Sequence, residues 1–240
     1  MKAYKYKLKL NKSFVAGCEA TLAACHELYN ASIQERKEAW QRQKISLNYQ
    51  TQSAQLPEIK SQREDIKAVY SQVLQDTLKR SDKAFQAFFR RVKQGQTPGY
   101  PRFKSRDRFD SFTYPGAGFS LKGDKLFLSK IGSCRVRLSR EVEGKIKTCT
   151  IKRECDGWYV VFTAEGSASK QLPKTGINVG VDVGIEYFAT LSTGEHVENP
   201  RFFKKSELAL REAQQKLSTK KRGSGRRRAA KKIVSKVHRK

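Results

Sequence analysis

The stretch "TGINVGVDVGIEYFATLSTGEHV" (175–197) places one carboxylate, Asp182, inside an otherwise apolar run. Alternation with period two puts Ile177, Val179, Val181 and Val183 on one face of a strand and the acid on the other, between two glycines. Residues without side chains leave room for a ligand beside the carboxylate. The run predicts a hairpin whose second strand covers 187–191, followed by a turn at "STGE". A metal or phosphate site and an ordinary turn-capping aspartate are both compatible with this hairpin.

The charge of the chain narrows the choice of partner. Fifty Lys and Arg against 23 Asp and Glu give a net charge of +27, and the pI is near 10.1. Such a charge favours polyanions, nucleic acid first and anionic membrane second. No window approaches 18 apolar residues, and "MKAYKYKLKL" lacks the apolar core of a signal peptide. We therefore expect nucleic acid and no membrane.

Cysteine and histidine do not indicate a metal centre or a disulfide framework. The five cysteines are odd in number and contain no C-x-x-C pair, and the three histidines are scattered. Cys18 and Cys25 fall on the apolar stripe of a predicted helix, where small buried hydrophobes are expected. A reducing, cytoplasmic compartment is the natural expectation.

The first half of the chain predicts one strand and two long helices. Residues 4–10 alternate apolar residues with lysines, which is typical of a half-buried strand. The spacing then changes to a helix that follows a Ser13 cap and continues to Trp40. Residues 41–64 are polar and ambiguous. A second helix is predicted from about Ile66 to Val92, because "GQTPGYP" forbids its continuation.

The second half predicts two further hairpins and a basic helix. "FSLKGDKLFLS" turns at Gly123-Asp124, and "KTCTIKRECDGWYVVFTAE" turns at Asp156-Gly157. "EGSASKQLPKTG" is a polar connector and the best domain boundary. After Pro200 a helical pattern runs into "KKRGSGRRRAAKKIVSKVHRK".

Two segments carry most of the positive charge. Residues 201–240 have a net charge of +14 and residues 79–108 a net charge of +8. Bases and aromatic rings are interleaved from 85 to 114, which suits phosphate contact combined with base stacking. We expect Phe85, Phe88 and Phe89 to be helix core, and "GYPRFKSRDRFDSFTYP" (99–115) to be a contact loop too polar for core. A basic tail can also be a merely solvated arm. The candidate nucleic-acid contacts are Arg90, Arg91, Lys93, Tyr100, Arg102, Phe103, Lys104, Arg106, Arg108, Lys220, Lys221, Arg222, Arg226, Arg227 and Arg228.

Three segments together resemble one protein family. They are "KAFQAFFRRVKQGQTPGYPRFKSRDRFDSFTYP", "IKTCTIKRECDGWYVVFTAE" and the run from "GVDVGIEYF" to "SKVHRK", in this order and spacing. The chain is similar over essentially its whole length to the TnpB (OrfB) proteins of bacterial insertion sequences, long described as transposases and ancestral to type V CRISPR nucleases. The resemblance implies an α+β fold. A wedge-type β-barrel over 1–170 would carry a helical recognition insert at about 14–95, and an incomplete RNase H-like (RuvC) α/β domain would occupy 171–240.

The same resemblance implies RNA-guided cleavage of DNA. The partners would be a guide RNA from the transposon end and double-stranded target DNA, with no small-molecule substrate. Asp182 matches the first catalytic aspartate of the RuvC D-x-G motif and would be a Mg²⁺ ligand. A two-metal site needs carboxylates, which would explain the acid at position 182. A scissile phosphate must come close to that site, which would explain the small residues beside the acid.

The chain also departs from the family. The family's catalytic glutamate, zinc ribbon and last catalytic aspartate have no counterpart in these 240 residues, so we expect the front part of a nuclease. Glu186, Glu195 and Glu198 lie near Asp182 in sequence, but no motif assigns them a role. A catalytically inactive RNA- or DNA-binding fragment is therefore the alternative. An actin-like or sugar-kinase ATPase is disfavoured, because Ile185 and Glu186 follow the D-x-G where Thr or Ser would meet phosphate.

Overall fold

The computed structural model describes residues 1–166, 175–176 and 178–238. The chain divides into two compact units, Met1–Ser167 and Ala168–Lys240. Both mix helices with antiparallel strands, as the predicted α+β class requires. Within the described residues, no helix has the length and apolar character needed to cross a bilayer.

The first unit begins with one strand, continues with five helices and ends with six strands. The first strand and the helices are β1 (Lys2–Lys9), α1 (Lys12–Gln43), α2 (Tyr49–Ala54), α3 (Leu56–Gln62), α4 (Glu64–Lys67) and α5 (Ser71–Lys93). The later strands are β2 (Ser111–Pro115), β3 (Phe119–Lys122), β4 (Lys125–Leu128), β5 (Gly132–Arg137), β6 (Lys145–Glu154) and β7 (Gly157–Glu165).

These strands form one seven-stranded antiparallel sheet in the order β2-β6-β7-β1-β5-β4-β3. β1 lies inside the sheet, paired with β7 on one side and β5 on the other. Its side chains Tyr4, Tyr6 and Leu8 are buried, whereas the alternating lysines point away from the core. The predicted strand and its basic outer face are confirmed.

Helix α1 has the predicted apolar stripe but a different cap. Cys18, Leu22 and Tyr29 are buried along it. The helix begins at Lys12 because the Asn11 side chain accepts the backbone N–H of Phe14 at 2.8 Å. The predicted Ser13 cap is wrong, since that residue already lies in the first turn.

A buried ionic network joins α1 to α2 and α5. The Arg36 guanidinium donates to Gln52 Oε1 and to Asp82 Oδ1, both at 2.8 Å, and lies 4.9 Å from the Phe85 ring. These contacts satisfy a charge that would otherwise be costly to bury. α5 itself starts at Ser71 rather than at Ile66, because a separate short helix, α4, precedes it.

The sequence prediction was wrong for the second half of segment 99–115. Residues 111–115 form β2, and Phe109, Phe112 and Tyr114 are at most 3% exposed. Alternation in β2 sends two aromatic side chains into the core, although the surrounding segment is polar. The Gly123-Asp124 hairpin is confirmed, and the next hairpin turns one residue earlier than predicted, at Cys155-Asp156.

The described part of the second unit contains a small antiparallel sheet and two helices. Its strands are β8 (Val181–Asp182), β9 (Tyr187–Leu191) and β10 (His196–Glu198), in the order β10-β9-β8. β8 is shorter than the predicted 177–183 strand, and Ile177 lies outside the described residues, as does most of the predicted connector. The predicted basic helix is two helices, α6 (Phe202–Ser218) and α7 (Gly225–Val237), separated at Gly223, whose φ is +84°.

Candidate functional site

Asp182 lies at the end of β8 on an exposed face of the small sheet. The register places it opposite Thr190, which in turn lies opposite His196 on β10. The Thr190 hydroxyl is 3.3 Å from His196 Nδ1, and the imidazole stacks on the Tyr187 ring at 4.6 Å. The carboxylate therefore shares its face with a hydroxyl and an imidazole, a neighbour that the scattered histidine positions did not suggest.

The glycines beside Asp182 leave less space than the sequence suggested. A Cβ added at Gly180 would meet Ser192 Cβ at 3.5 Å, an ordinary contact distance. At Gly184 it would lie 3.3 Å from the Tyr187 carbonyl oxygen. A side chain at position 184 would thus crowd the backbone of its own loop. Asn199 also holds this loop, because its side-chain amide donates to the Ile185 carbonyl at 2.9 Å.

The nearby glutamates do not complete a metal site. Glu186, Glu195 and Glu198 are exposed, and the described residues contain no group of three or more His, Cys, Asp or Glu side chains that could hold a metal ion. Two Mg²⁺ ions need several oxygen ligands held together. The described residues therefore do not fit a two-metal site by themselves.

Much of the apolar surface of this unit is uncovered. Val181, Val183 and Ile185 are 59%, 69% and 90% exposed, and Phe202 and Phe203 are 72% and 80% exposed. Val181, Val183 and Ile185 lie along one segment and Phe202 and Phe203 are consecutive, and exposed apolar groups of this kind mark a surface that is normally covered.

Hydrogen bonds from α1 hold the backbone of the basic loop of the first unit at Lys104. Asn30 Nδ2 donates to the Lys104 carbonyl at 2.9 Å, and Asn30 Oδ1 accepts the Lys104 backbone N–H at 2.9 Å. His26 Nε2 lies 2.7 Å from the same carbonyl oxygen, which can only accept, so the ring hydrogen sits on Nε2. We call these contacts of His26 and Asn30 the Lys104 clamp.

The Lys104 side chain has a structural role in addition to its charge. Its ammonium lies 4.7 Å from the Tyr29 ring and 5.5 Å from the Phe109 ring. Burial, with a smaller contribution from the Arg80 charge, lowers the pKa of Lys104 below its usual value. Among the candidate contacts of this loop, Lys104 is thus the half-buried one.

The other candidate contacts of the first unit reach solvent. Tyr100 is 44% and Phe103 52% exposed, and Tyr100 packs edge-on against Phe85 and Phe88. Phe89 is 57% exposed, so its assignment to the helix core was wrong, although Phe85 is core as predicted. The remaining exposed bases of this region are Arg90, Arg91, Lys93, Arg102, Arg106 and Arg108.

In the helical hairpin of the second unit, one arginine differs from its neighbours. Arg227 is half-buried, and its Nη1 donates to the carbonyls of Leu217 at 3.1 Å and Lys220 at 2.8 Å. Leu217 lies in the last turn of α6 and Lys220 just beyond its end, so the Arg227 guanidinium on α7 ties the two helices together at this point. The remaining predicted contacts of the hairpin are exposed: Lys220, Lys221, Arg222, Arg226 and Arg228.

Comparison with known sequences gives three matches. The OrfB family model, described as "Probable transposase", matches residues 159–240. An Escherichia coli (strain K12) protein named "Putative RNA-guided DNA endonuclease InsQ" is 29% identical over 241 residues, covering 99% of this chain and 59% of the relative. A Streptomyces pristinaespiralis protein, "Putative RNA-guided DNA endonuclease", is 32% identical over 244 residues with the same two coverages.

Comparison with solved structures gives a partial likeness. A CRISPR-Cas12f ternary complex determined by cryo-EM matches with a TM-score of 0.48 and 13% identity, over 94% of this chain and 57% of that chain. The chain spans about three fifths of the length of the curated relatives that it matches.

Proposed function

Because this chain belongs to the TnpB (OrfB) family, we propose that it binds a guide RNA and double-stranded target DNA as part of an RNA-guided DNA endonuclease. Both curated relatives carry the name of that activity, and their similarity extends over 99% of this chain. In this proposal residues 1–170 are the wedge-type barrel with its helical insert at about 14–95, and residues 171–240 begin the RuvC-like domain. The setting is the cytoplasm, which suits the exposed free thiol of Cys155.

One observation of the structure supports nucleic-acid binding above all others. Segment 99–110 presents exposed aromatic and basic side chains while the Lys104 clamp holds its backbone on α1. A loop that is already ordered loses less conformational entropy when it binds. Exposed rings beside guanidinium groups suit unpaired bases and their phosphates.

A salt titration of RNA binding tests this part of the proposal. Replacing Arg102, Arg106 and Arg108 with Gln should flatten the plot of log K against log salt by roughly 2, at about 0.7 per phosphate contact on a single strand. Lys104 is left unchanged because its ammonium covers two rings. An unchanged slope would exclude the loop as a contact surface.

The control removes the same number of charges from lysines that are already paired. Lys2, Lys67 and Lys147 lie 2.8, 2.9 and 2.8 Å from carboxylates. Their replacement by Gln defines the paired-lysine control, which should leave the slope nearly unchanged.

For catalysis, we propose that Asp182 is one carboxylate of a Mg²⁺-dependent nuclease site that the described residues do not complete. Bound Mg²⁺ would stabilise charge on the scissile phosphate. Joined to the additional length of a curated relative, the chain should cleave guide-matched DNA. Asp182→Ala should abolish cleavage without weakening RNA binding, whereas Glu186→Gln should leave both intact.

The second candidate is a nucleic-acid-binding protein without nuclease activity. The described residues contain no group of three or more His, Cys, Asp or Glu side chains that could hold a metal ion, which favours this candidate for these 240 residues. We expect the chain alone, with RNA and Mg²⁺ or Mn²⁺, not to nick guide-matched DNA. Nicking that disappears in Asp182→Ala would overturn this expectation and show that nearby acids complete the site.

A further inference from the structure

Four basic residues form a row across four neighbouring strands of the large sheet. Lys122 on β3 lies opposite Lys125 on β4, Lys125 opposite Arg135 on β5, and Arg135 opposite Lys9 on β1. Residues directly opposite in antiparallel strands point to the same face, so all four side chains share it, and all four are exposed. We call them the cation row. With strands about 4.8 Å apart, the row is about 14 Å long.

The cation row is poorly neutralised by the protein. Asp124 Oδ2 is 4.0 Å from Arg135 Nε, at the outer limit of an ion pair. Within the described parts of the chain, Lys9, Lys122 and Lys125 have no carboxylate within that distance. By contrast, Lys7 on β1 has Asp156 at 3.5 Å. Like charges placed directly opposite each other destabilise a sheet, so the row costs stability in the free protein.

Protection of a sheet edge does not explain the whole row. Lysine on an edge strand prevents unwanted pairing with other chains, and β3 is an edge of the sheet. That explanation covers Lys122. β5 and β1 are paired on both sides, so Arg135 and Lys9 protect no edge. A polyanion lying across the strands would offset the repulsion of all four cations.

An exposed aromatic ring lies beside the row on the same face. Phe127, two residues after Lys125 on β4, is 46% exposed and lies between Ser120 on β3 and Ser133 on β5. A shallow cavity of about 410 Å³ opens here, lined by Lys9, Lys125, Ser133 and Arg135 among others. The face thus offers cations, a stacking ring and hydroxyl groups together.

We propose that this face of the sheet binds single-stranded RNA, with phosphates along the cation row and an unpaired base stacked on Phe127. Stacking on a protein ring requires a base that is not already stacked in a duplex, which disfavours double-stranded DNA. The hydroxyls of Ser120 and Ser133 can donate to and accept from a ribose 2′-hydroxyl, which DNA lacks. The inference rests on the proposed function for the class of partner, but its residues are separate from segment 99–110.

The first experiment measures binding of a fluorescein-labelled oligo-uridine of about 12 nucleotides, within the usual span of such surfaces. The row variant carries Lys9→Gln, Lys122→Gln and Lys125→Gln, and it is compared with the paired-lysine control. Three lost phosphate contacts should lower the salt slope by about 2 and the affinity roughly 100-fold at about 0.1 M salt. The control should stay within a few-fold of the unmodified chain.

Thermal melting of the RNA-free proteins distinguishes removal of repulsion from damage to the fold, because the two change the melting temperature in opposite directions. Removing repulsion should raise the melting temperature of the row variant at low salt and reduce its dependence on salt. The paired-lysine control loses attractions and should melt at the same temperature or lower. A row variant that melts lower than the unmodified chain would contradict the repulsion argument.

Phe127 is tested separately. Phe127→Ala should weaken oligo-uridine binding roughly 5- to 150-fold, the range for one stacked base, and Phe127→Trp should preserve it. Trp40→Ala, which removes another exposed ring, is the control. Losses as large for a DNA duplex of equal length would overturn the assignment to single-stranded RNA.

The outcomes separate this inference from the proposed function. If the unmodified chain binds no RNA, both are overturned. If it binds RNA and the row variant behaves like the paired-lysine control, only the sheet surface is overturned and segment 99–110 remains the contact. A selective loss in the row variant together with a higher melting temperature supports the sheet surface.

Discussion

Replacement of Asn30 tests whether the Lys104 clamp orders the basic loop. Asn30→Ala removes two hydrogen bonds of 2.9 Å, one to the Lys104 carbonyl and one from its backbone N–H. At about 1 kcal/mol each, the loop should detach more easily by about 2 kcal/mol. His26 still reaches the carbonyl, so the fold of the unit should persist. A change of 2 kcal/mol raises the detached population about 30-fold.

Limited trypsin digestion measures this population, because cleavage follows the open fraction when the loop opens and closes quickly. Cleavage within the loop should accelerate about 30-fold in Asn30→Ala. Gln34→Ala, an exposed position one turn further along α1, should leave the rate unchanged. Equal rates for both variants would refute the clamp. The sites to follow by mass spectrometry are Arg102, Lys104, Arg106 and Arg108.

Three other variants or titrations have definite expected results. Arg227→Gln should lower the free energy of local opening at the end of α6, measured by amide hydrogen exchange, by about 1.5–3 kcal/mol. Replacement of the exposed Arg228 by Gln should leave that free energy unchanged. Arg36→Leu should lower the free energy of unfolding in urea by about 3–5 kcal/mol, because Asp82 loses its buried partner. Burial raises the pKa of Cys25 to about 11. The protonated thiol should therefore stabilise the fold fully below about pH 9, and this contribution should be lost as pH rises toward 11. A melting temperature that stays flat across this window would contradict it.

Local patterns predicted the elements well where neighbouring residues decide them. The Gly123-Asp124 turn has alternating apolar residues on both sides, and the structure forms that hairpin in the predicted register. The apolar stripe of α1 was equally clear from the 3–4 spacing of its residues. The cap was misplaced because both Asn11 and Ser13 can cap, and only the backbone geometry shows that Asn11 accepts the Phe14 N–H.

Features that depend on distant residues could not be predicted in this way. Phe112 and Tyr114 enter the core because β2 pairs with β6, nearly 40 residues later in the chain. The cation row requires the register between β1 and β5, which no local pattern contains. For the candidate site, the sequence singled out Asp182 and the basic loop as predictions, but it gave no indication of the clamp that holds the loop or of the imidazole on the face of the acid.

The interior position of β1 has a consequence for the order of events during synthesis. Tyr4 pairs with Phe162 and Lys7 with Arg137, so β1 leaves the ribosome long before its partner strands and must wait for almost the whole unit to be made. At about 5–20 residues per second, that wait is roughly 8–30 s. An apolar strand left unpaired for so long would invite association with other nascent chains. The lysines that alternate along β1 oppose such association, so they protect the strand in solution before they have any role in the finished sheet.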